Sequence, residues 1–383
     1  MPDRRWLLTP LLLAAACAGA SVDPDAASVD DLPPAAANPA DRAAALVDAE
    51  AAVAAWRSTR RTTARQLADS ALARDPRCGR ALALRAMLQW RFAQLQAKPP
   101  ALRDVHAAEA ALRQAVAAVP NDAFAGLSLA IFLADVDHLT AAAEVAERAI
   151  ARLDKADAVA NTVDRADLFA LAAACRFELG EERAALPHLQ AYVALRPDDA
   201  DQQYRLGSAL LTIAATTNDQ SPTSRLVAQR QAEAAARAFG RAFELRPNDA
   251  AAGKAVATAF LRAADLAGAR GVDGERTEAL DAANATARAL TALIAADPEP
   301  WWLLGVAMER GKDPIGAAAA FDEALARAPA HVPSLLHRAA LADEAGDGAT
   351  AKSLLQRALA TDATATTLTN DERKRVQARL AQP

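Results

Sequence analysis

Histidine is the residue type in this sequence that most readily binds a metal or transfers a proton. No histidine stands at a zinc-protease spacing from another His, Cys or Glu. The sequence also contains no Gly-rich phosphate loop after a strand and no Gly-x-Ser-x-Gly motif. The pattern therefore predicts no enzyme, no metal site and no cofactor. The five histidines are His106, His138, His188, His331 and His337.

Cys17 is the candidate for covalent chemistry. It follows a basic start and a short apolar run, which is about half of the ~20 residues needed to span a bilayer. The run ends in Leu-Ala-Ala-Ala-Cys, which resembles a bacterial lipobox except that Ala14 stands where the family usually has Leu. The resemblance implies a lipidated Cys17 and a chain anchored at the cell envelope. Cleavage after Ala20, giving a soluble secreted or periplasmic chain, is the alternative, and retention in the cytoplasm is a third possibility.

Four segments follow from these patterns. Residues 1–20 have the form of a signal peptide, and residues 21–40, rich in Ala, Pro and Asp, are predicted to be a disordered tether. Residues 41–368 carry helical repeats, and residues 369–383 are expected to form a capping helix and tail, with Asn370 as its N-cap.

Composition favours helices over strands. Hydrophobic residues make up 52% of the chain, aromatics make up 4%, and there are only 15 glycines. Alanine is the best helix former, and an Ala-rich core allows helices to pack closely. The net charge of −5 gives no general attraction to nucleic acid, so no nucleic-acid partner is expected.

One short sequence motif recurs along the chain and predicts where helices end and begin. Its three clear copies occupy residues 119–123, 196–200 and 246–250, each reading Pro-Asn/Asp-Asp-Ala after its first residue. Proline disfavours a helical conformation in the residue before it, and the following Asp can cap the next helix. Each copy therefore predicts the end of one helix and the beginning of another.

Regular spacing precedes these prolines. Alanine, phenylalanine, alanine and proline follow one another at intervals of four, three and five residues, which places the first three on one helix face. A glycine or alanine in the preceding helix would let the two helices of a hairpin approach closely. The clearest units contain Gly207, Ala235, Phe239, Ala242 and Pro247, and Gly305, Ala317, Phe321, Ala324 and Pro329.

This pattern resembles the tetratricopeptide repeat (TPR) family, a helix-turn-helix of 34 residues. The best match is residues 298–331, where Trp301, Leu304 and Gly305 fall on the motif positions of the first helix. The resemblance implies an all-α, right-handed tetratricopeptide-type solenoid of about eight helix-turn-helix repeats with a C-terminal capping helix. Repeats 5 and 6 are longer than 34 residues, and their inserts, 214–228 and 266–276, are predicted to be helical, with a helix from Pro222 to Arg246.

The resemblance also implies a partner-binding groove lined by each first helix. By the register of the family, the groove residues are Trp90, Arg91, Phe177, Tyr204, Arg205, Lys254, Arg262 and Trp302. Trp90 and Phe177 could instead pack between neighbouring helices. Tyr204, Lys254 and Trp302 fall at the same place in three successive repeats. They are expected to form one line of side chains that carries positive charge.

The function expected from this fold is a protein-interaction scaffold of the bacterial cell envelope. Its partners would be proteins or peptides bound in the groove, and the membrane would be reached through a lipid anchor. A component of a solute uptake system with a ligand-binding channel is the alternative, and it would require an internal apolar pore. An enzyme is the least favoured reading, because the repeats leave no room for a catalytic domain.

Overall fold

The computed structural model contains α-helices and no β-strand among the residues that it describes. Cys17, the signal-like run and most of the predicted tether lie outside those residues. The described residues are 33–36, 38–153, 162–217, 221–365 and 368–381. They form seventeen helices, of which the first sixteen pair into eight hairpins, and this confirms the all-α repeat prediction.

The chain divides into two compact units, Met1–Arg196 and Pro197–Pro383. In each unit, every helix packs against the next one in the chain. The helices of unit 1 are α1 (Pro39–Arg57), α2 (Arg61–Arg74), α3 (Gly79–Gln96), α4 (Leu102–Ala118), α5 (Ala123–Asp135), α6 (Leu139–Ala151), α7 (Thr162–Glu178) and α8 (Glu182–Leu195). Those of unit 2 are α9 (Ala200–Thr216), α10 (Pro222–Leu245), α11 (Ala250–Arg270), α12 (Asp273–Leu293), α13 (Pro298–Arg310), α14 (Pro314–Arg327), α15 (Val332–Glu344), α16 (Gly348–Ala365) and α17 (Asn370–Leu380).

The recurring Pro-Asn/Asp-Asp-Ala motif marks helix boundaries as predicted. Helices α4, α8 and α10 each end two residues before its proline. Asp122, Asp199 and Asp249 are the N-caps of the following helices, and their carboxylates accept hydrogen bonds from free backbone N–H groups. The motif therefore defines three of the turns through the proline and the N-cap hydrogen bonds of its aspartate.

The long inserts are helical where the structure describes them. Helix α10 runs from Pro222, capped by the Ser221 hydroxyl, to Leu245, within one residue of the predicted end. Helix α11 extends to Arg270 and ends at Gly271, which adopts the left-handed conformation with φ 72°. Two hairpins of unit 2 are therefore longer than the others, as the sequence predicted.

Close approach of the two helices in a hairpin depends on glycine. A Cβ atom on Gly305 would lie 2.5 Å from the Phe321 ring, and one on Gly207 would lie 2.7 Å from the Phe239 ring. Both phenylalanines are buried. The aromatic ring of the second helix therefore occupies the space that a side chain on the first helix would need.

The observed start of the first helix and the N-cap of the last helix differ from the sequence-based predictions. Helix α1 begins at Pro39 with Asn38 as its N-cap, so the tether does not reach residue 40. The Ala36 N–H donates to Asp75 Oδ1 at 3.0 Å, and Arg77 Nε donates to the Pro33 carbonyl at 2.7 Å. At the other end, Thr369 rather than Asn370 caps α17, because its hydroxyl and Glu372 form a reciprocal capping box.

Cys78 and Cys175 are buried and form no disulfide. Burial raises the pKa of each thiol to about 11, so both stay protonated and poorly nucleophilic near neutral pH. Among the helices of the described residues, none combines the length and apolarity needed to cross a membrane.

The glycine contact predicts a pair of opposite mutational effects. Gly305→Ala should lower the free energy of unfolding by about 1–3 kcal/mol, because the new methyl group overlaps the Phe321 ring. Gly240→Ala is the matched control: it lies within α10 with no atom near the new methyl, and should stabilise by up to about 1 kcal/mol. Thermal denaturation of the three proteins measures both effects, and equal melting temperatures would contradict the packing described.

Candidate partner-binding face

The first helices of the hairpins in unit 2 lie side by side. Arg262 of α11 donates to the Ala214 carbonyl of α9 at 3.2 Å, and Arg310 of α13 pairs with Asp265 of α11 at 3.1 Å. Helix α10 packs against both α9 and α11, and α12 packs against both α11 and α13. The sides of α9, α11 and α13 that the second helices leave uncovered are called here the first-helix face of unit 2.

Two aromatic residues of the predicted groove belong to the first helices α9 and α13. Tyr204 of α9 is half-buried and packs edge-on against Phe239, with ring centroids 5.1 Å apart. Trp302 of α13 is also half-buried, and its ring lies 6.3 Å from the rings of both His331 and His337 of α15. Each ring is thus held from behind while part of its surface remains open.

The histidines beside Trp302 are held by a carboxylate and a hydroxyl group. His337 Nδ1 lies 2.7 Å from Glu309 Oε2, and its ring stacks on Phe321 at 5.2 Å. His331 Nδ1 lies 2.8 Å from the buried Ser334 hydroxyl. The sequence analysis missed this arrangement, because it depends on contacts between helices rather than on spacing along the chain.

Two of the basic residues predicted for this face already have partners within the chain. Lys254 Nζ pairs with Asp297 Oδ2 at 3.2 Å, and Asp297 also caps α13. Arg262 donates to a backbone carbonyl, as described above. Among the described residues, Arg205 forms no ion pair. The line through Tyr204, Lys254 and Trp302 therefore carries less positive charge than predicted, because Lys254 at its centre is paired with Asp297.

The structure corrects the placement of Trp90 in unit 1. Trp90 is 2% exposed, donates from Nε1 to Asp135 Oδ2 at 3.0 Å, and packs edge-on against Phe132. It is a core residue, so the alternative of packing between helices holds. Arg91 is partly exposed but is paired with the same carboxylate at 3.1 Å.

Phe177, the third predicted groove residue of unit 1, is half-buried near the end of α7. Phe92 is instead the aromatic that α3 exposes, with 62% of its surface accessible. In α3, the register of the family therefore assigned Trp90 to the surface, whereas Phe92 is the exposed aromatic residue.

A buried ion cluster in unit 1 was also missed. Arg80 is 1% exposed, and its Nη2 lies 2.6 Å from Asp164 Oδ2 and 3.4 Å from Asp122 Oδ1. Arg57 reaches Asp164 at 2.9 Å, so one carboxylate joins α1, α3 and α7. Burial raises the pKa of Asp122, while Arg80 and two backbone N–H groups act against that rise. Breaking such a buried pair is costly, so the cluster specifies how these helices meet.

Two depressions in the described part of unit 1 do not form an apolar channel. One open depression of about 470 Å³ is lined by residues 137–141 and Leu179. A second, of about 20 Å³, lies between α4, α5 and α6. No group of three His, Cys, Asp or Glu residues within the described ranges could hold a metal ion.

No family model matches the chain, and no curated protein matches its sequence. Among solved structures it is similar to MamA from Desulfovibrio magneticus RS-1 (18% identity, 52% of this chain, 97% of MamA, TM-score 0.40) and to YrrB, a TPR protein with an unusual peptide-binding site (18% identity, 58% of this chain, 95% of YrrB, TM-score 0.42). An IFIT1 monomeric mutant aligns with more of the chain (17% identity, 82% of this chain, 71% of IFIT1, TM-score 0.34). At this level the likenesses add nothing beyond an arrangement of helical hairpins.

Proposed function

We propose that this chain is a protein-interaction scaffold that binds a partner on the first-helix face of unit 2. The observation that carries the proposal is the pair of half-exposed rings, Tyr204 and Trp302, on first helices that flank α11. Tyrosine and tryptophan contribute large contact areas at interfaces and often dominate the binding energy. Both rings are held by neighbouring side chains, so little conformational freedom remains to be lost on binding.

The chemistry of the face suggests the kind of segment that it binds. Lys254 and Arg262 are already engaged, whereas the charge of Arg205 is not matched by an ion pair within the described chain. An extended segment or a helix with apolar side chains for the two rings and an acidic side chain near Arg205 fits this pattern.

We further propose that the scaffold is held at the cell envelope by a lipid on Cys17. The support for this location is the lipobox-like sequence that ends at Cys17, together with the apolar run before it. A lipid there would keep the repeats close to envelope proteins, which are then the expected source of partners.

Removing Trp302 should weaken the partner complex more than it weakens the fold. For a partner recovered from solubilised envelopes, Trp302→Ala should lower the binding free energy by about 2 kcal/mol or more, as expected of an aromatic anchor. Calorimetric titration gives the affinity, and thermal denaturation of the free protein gives the stability.

Trp301 offers a matched control for this experiment. It is the adjacent tryptophan and is also half-buried, but it packs under Arg327 of α14, with the guanidinium carbon 4.5 Å from the ring centroid. Trp301→Ala should lower the melting temperature and leave the affinity of the folded protein nearly unchanged. Equal affinity losses in the two variants, or none in Trp302→Ala with Tyr204→Ala, would remove the site from this face.

The envelope location has its own test. Cys17→Ser should leave the precursor uncleaved or allow a high-salt wash to release the protein from the membrane fraction. Intact mass spectrometry of the mature wild-type protein should show an N-terminal lipid-modified Cys17. A mature chain that begins at Ser21 without lipid would refute the anchor and leave the scaffold proposal standing.

A further inference from the structure

The turn between α3 and α4 concentrates exposed apolar side chains. The described residues expose nine large apolar side chains, and three of these lie within the eleven residues 92–102. Phe92, Leu95 and Leu102 are 62%, 63% and 57% exposed. Isolated exposed apolar residues are ordinary on protein surfaces, but several at one end of a hairpin mark a surface that contacts something apolar.

These side chains lie at the free end of the hairpin. Trp90 Nε1 and Gln94 Nε2 both reach the carboxylate of Asp135, the last residue of α5, at 3.0 and 3.5 Å. Helix α3 continues past this level to Gln96, and residues 97–101 then turn the chain into α4. The three exposed apolar side chains therefore lie in the last turns of α3 and at the first residue of α4, on either side of this connection.

The same stretch is unusually basic. From Arg77 to Arg103 the sequence contains six basic residues and no acidic one, but Arg80 is buried against Asp122 and Asp164 and Arg91 is paired with Asp135. Lys98 is exposed in the turn itself, and the Arg103 side chain is 88% exposed. Asp104 lies 3.6 Å from Arg103, Asp135 is paired with Arg91, and Asp137 is exposed in the turn that follows α5.

We propose that this turn is a membrane-docking site for a bilayer surface that contains anionic lipid. Phe92, Leu95 and Leu102 enter the boundary between headgroups and acyl chains, while Lys98 and Arg103 lie at the level of the lipid phosphates. Exposed Phe and Leu side chains flanked by basic side chains have the composition of surfaces that bind at the membrane interface. The local positive charge provides the electrostatic attraction. The contact does not depend on the proposed lipid on Cys17, and it would set which end of unit 1 faces the membrane.

A fluorescent label in the turn tests this site directly. In the full chain with Cys17→Ser, Leu95→Cys carries an environment-sensitive dye, while the buried Cys78 and Cys175 thiols, with pKa values raised to about 11, stay unlabelled. Vesicles of phosphatidylcholine with phosphatidylglycerol should shift the dye emission to shorter wavelength. Lys98→Glu with Arg103→Glu should weaken the apparent vesicle affinity roughly tenfold or more, since each basic residue near an anionic surface contributes about 1 kcal/mol.

Ile315→Cys provides the control label, because Ile315 is an isolated residue that is 84% exposed at the start of α14. Binding through any other part of the chain would affect the two labels alike, so only the label at residue 95 should shift. Circular dichroism confirms that each labelled protein is folded, and Phe92→Cys replaces Leu95→Cys if the latter is not.

Three results would overturn the proposal: no shift at residue 95, an equal shift at residue 315, or an equal shift with phosphatidylcholine alone. A shift that appears without vesicles and grows with protein concentration would also overturn it, in favour of a second copy of the chain as the occupant.

Discussion

Close contact between the two helices of each hairpin is the constraint on which this fold depends. The core is built largely from alanine, which supplies little volume, so helices must approach closely to exclude water. Glycine makes this possible where a large side chain crosses: Gly207 faces Phe239, Gly253 faces Leu290 and Gly305 faces Phe321. The large side chain that fills each crossing belongs to the second helix of its hairpin.

The first-helix face of unit 2 depends on these crossings. Because Phe239 is fixed against Gly207, it supports the ring of Tyr204 from behind. Phe321, fixed against Gly305, supports His337, which in turn flanks Trp302. The rings that we propose to contact a partner are therefore positioned by the same contacts that hold the hairpins together.

Local signals in the sequence were sufficient to predict several of the helix boundaries. Proline and aspartate act on the backbone within a few residues, so the caps at Asp122, Asp199 and Asp249 and the long helix from Pro222 could be predicted. The N-cap of the final helix was misassigned by one residue, because Thr369 competes with Asn370 and gains a reciprocal partner in Glu372.

Contacts between helices were harder to predict, since nothing in the local sequence states them. Trp90 turned inward because Asp135 and Phe132 of another hairpin offer it a hydrogen bond and a ring. Lys254 is likewise paired with Asp297, which the sequence places 43 residues away and the fold brings within 3.2 Å. The exposed turn at Phe92 and Leu95 did carry a sequence signal, the absence of acidic residues from 77 to 103, but only the observed exposure gives that signal meaning.

Site-specific photo-crosslinking tests most directly whether the first-helix face of unit 2 holds a partner. A photoreactive amino acid at Thr258, which is exposed on α11, should crosslink to the partner in cells. The same amino acid at Arg237, exposed on the second helix α10, should not. Crosslinking from residue 258 alone is the result that this account predicts. Crosslinking from residue 237 alone, or equally from both, would contradict it.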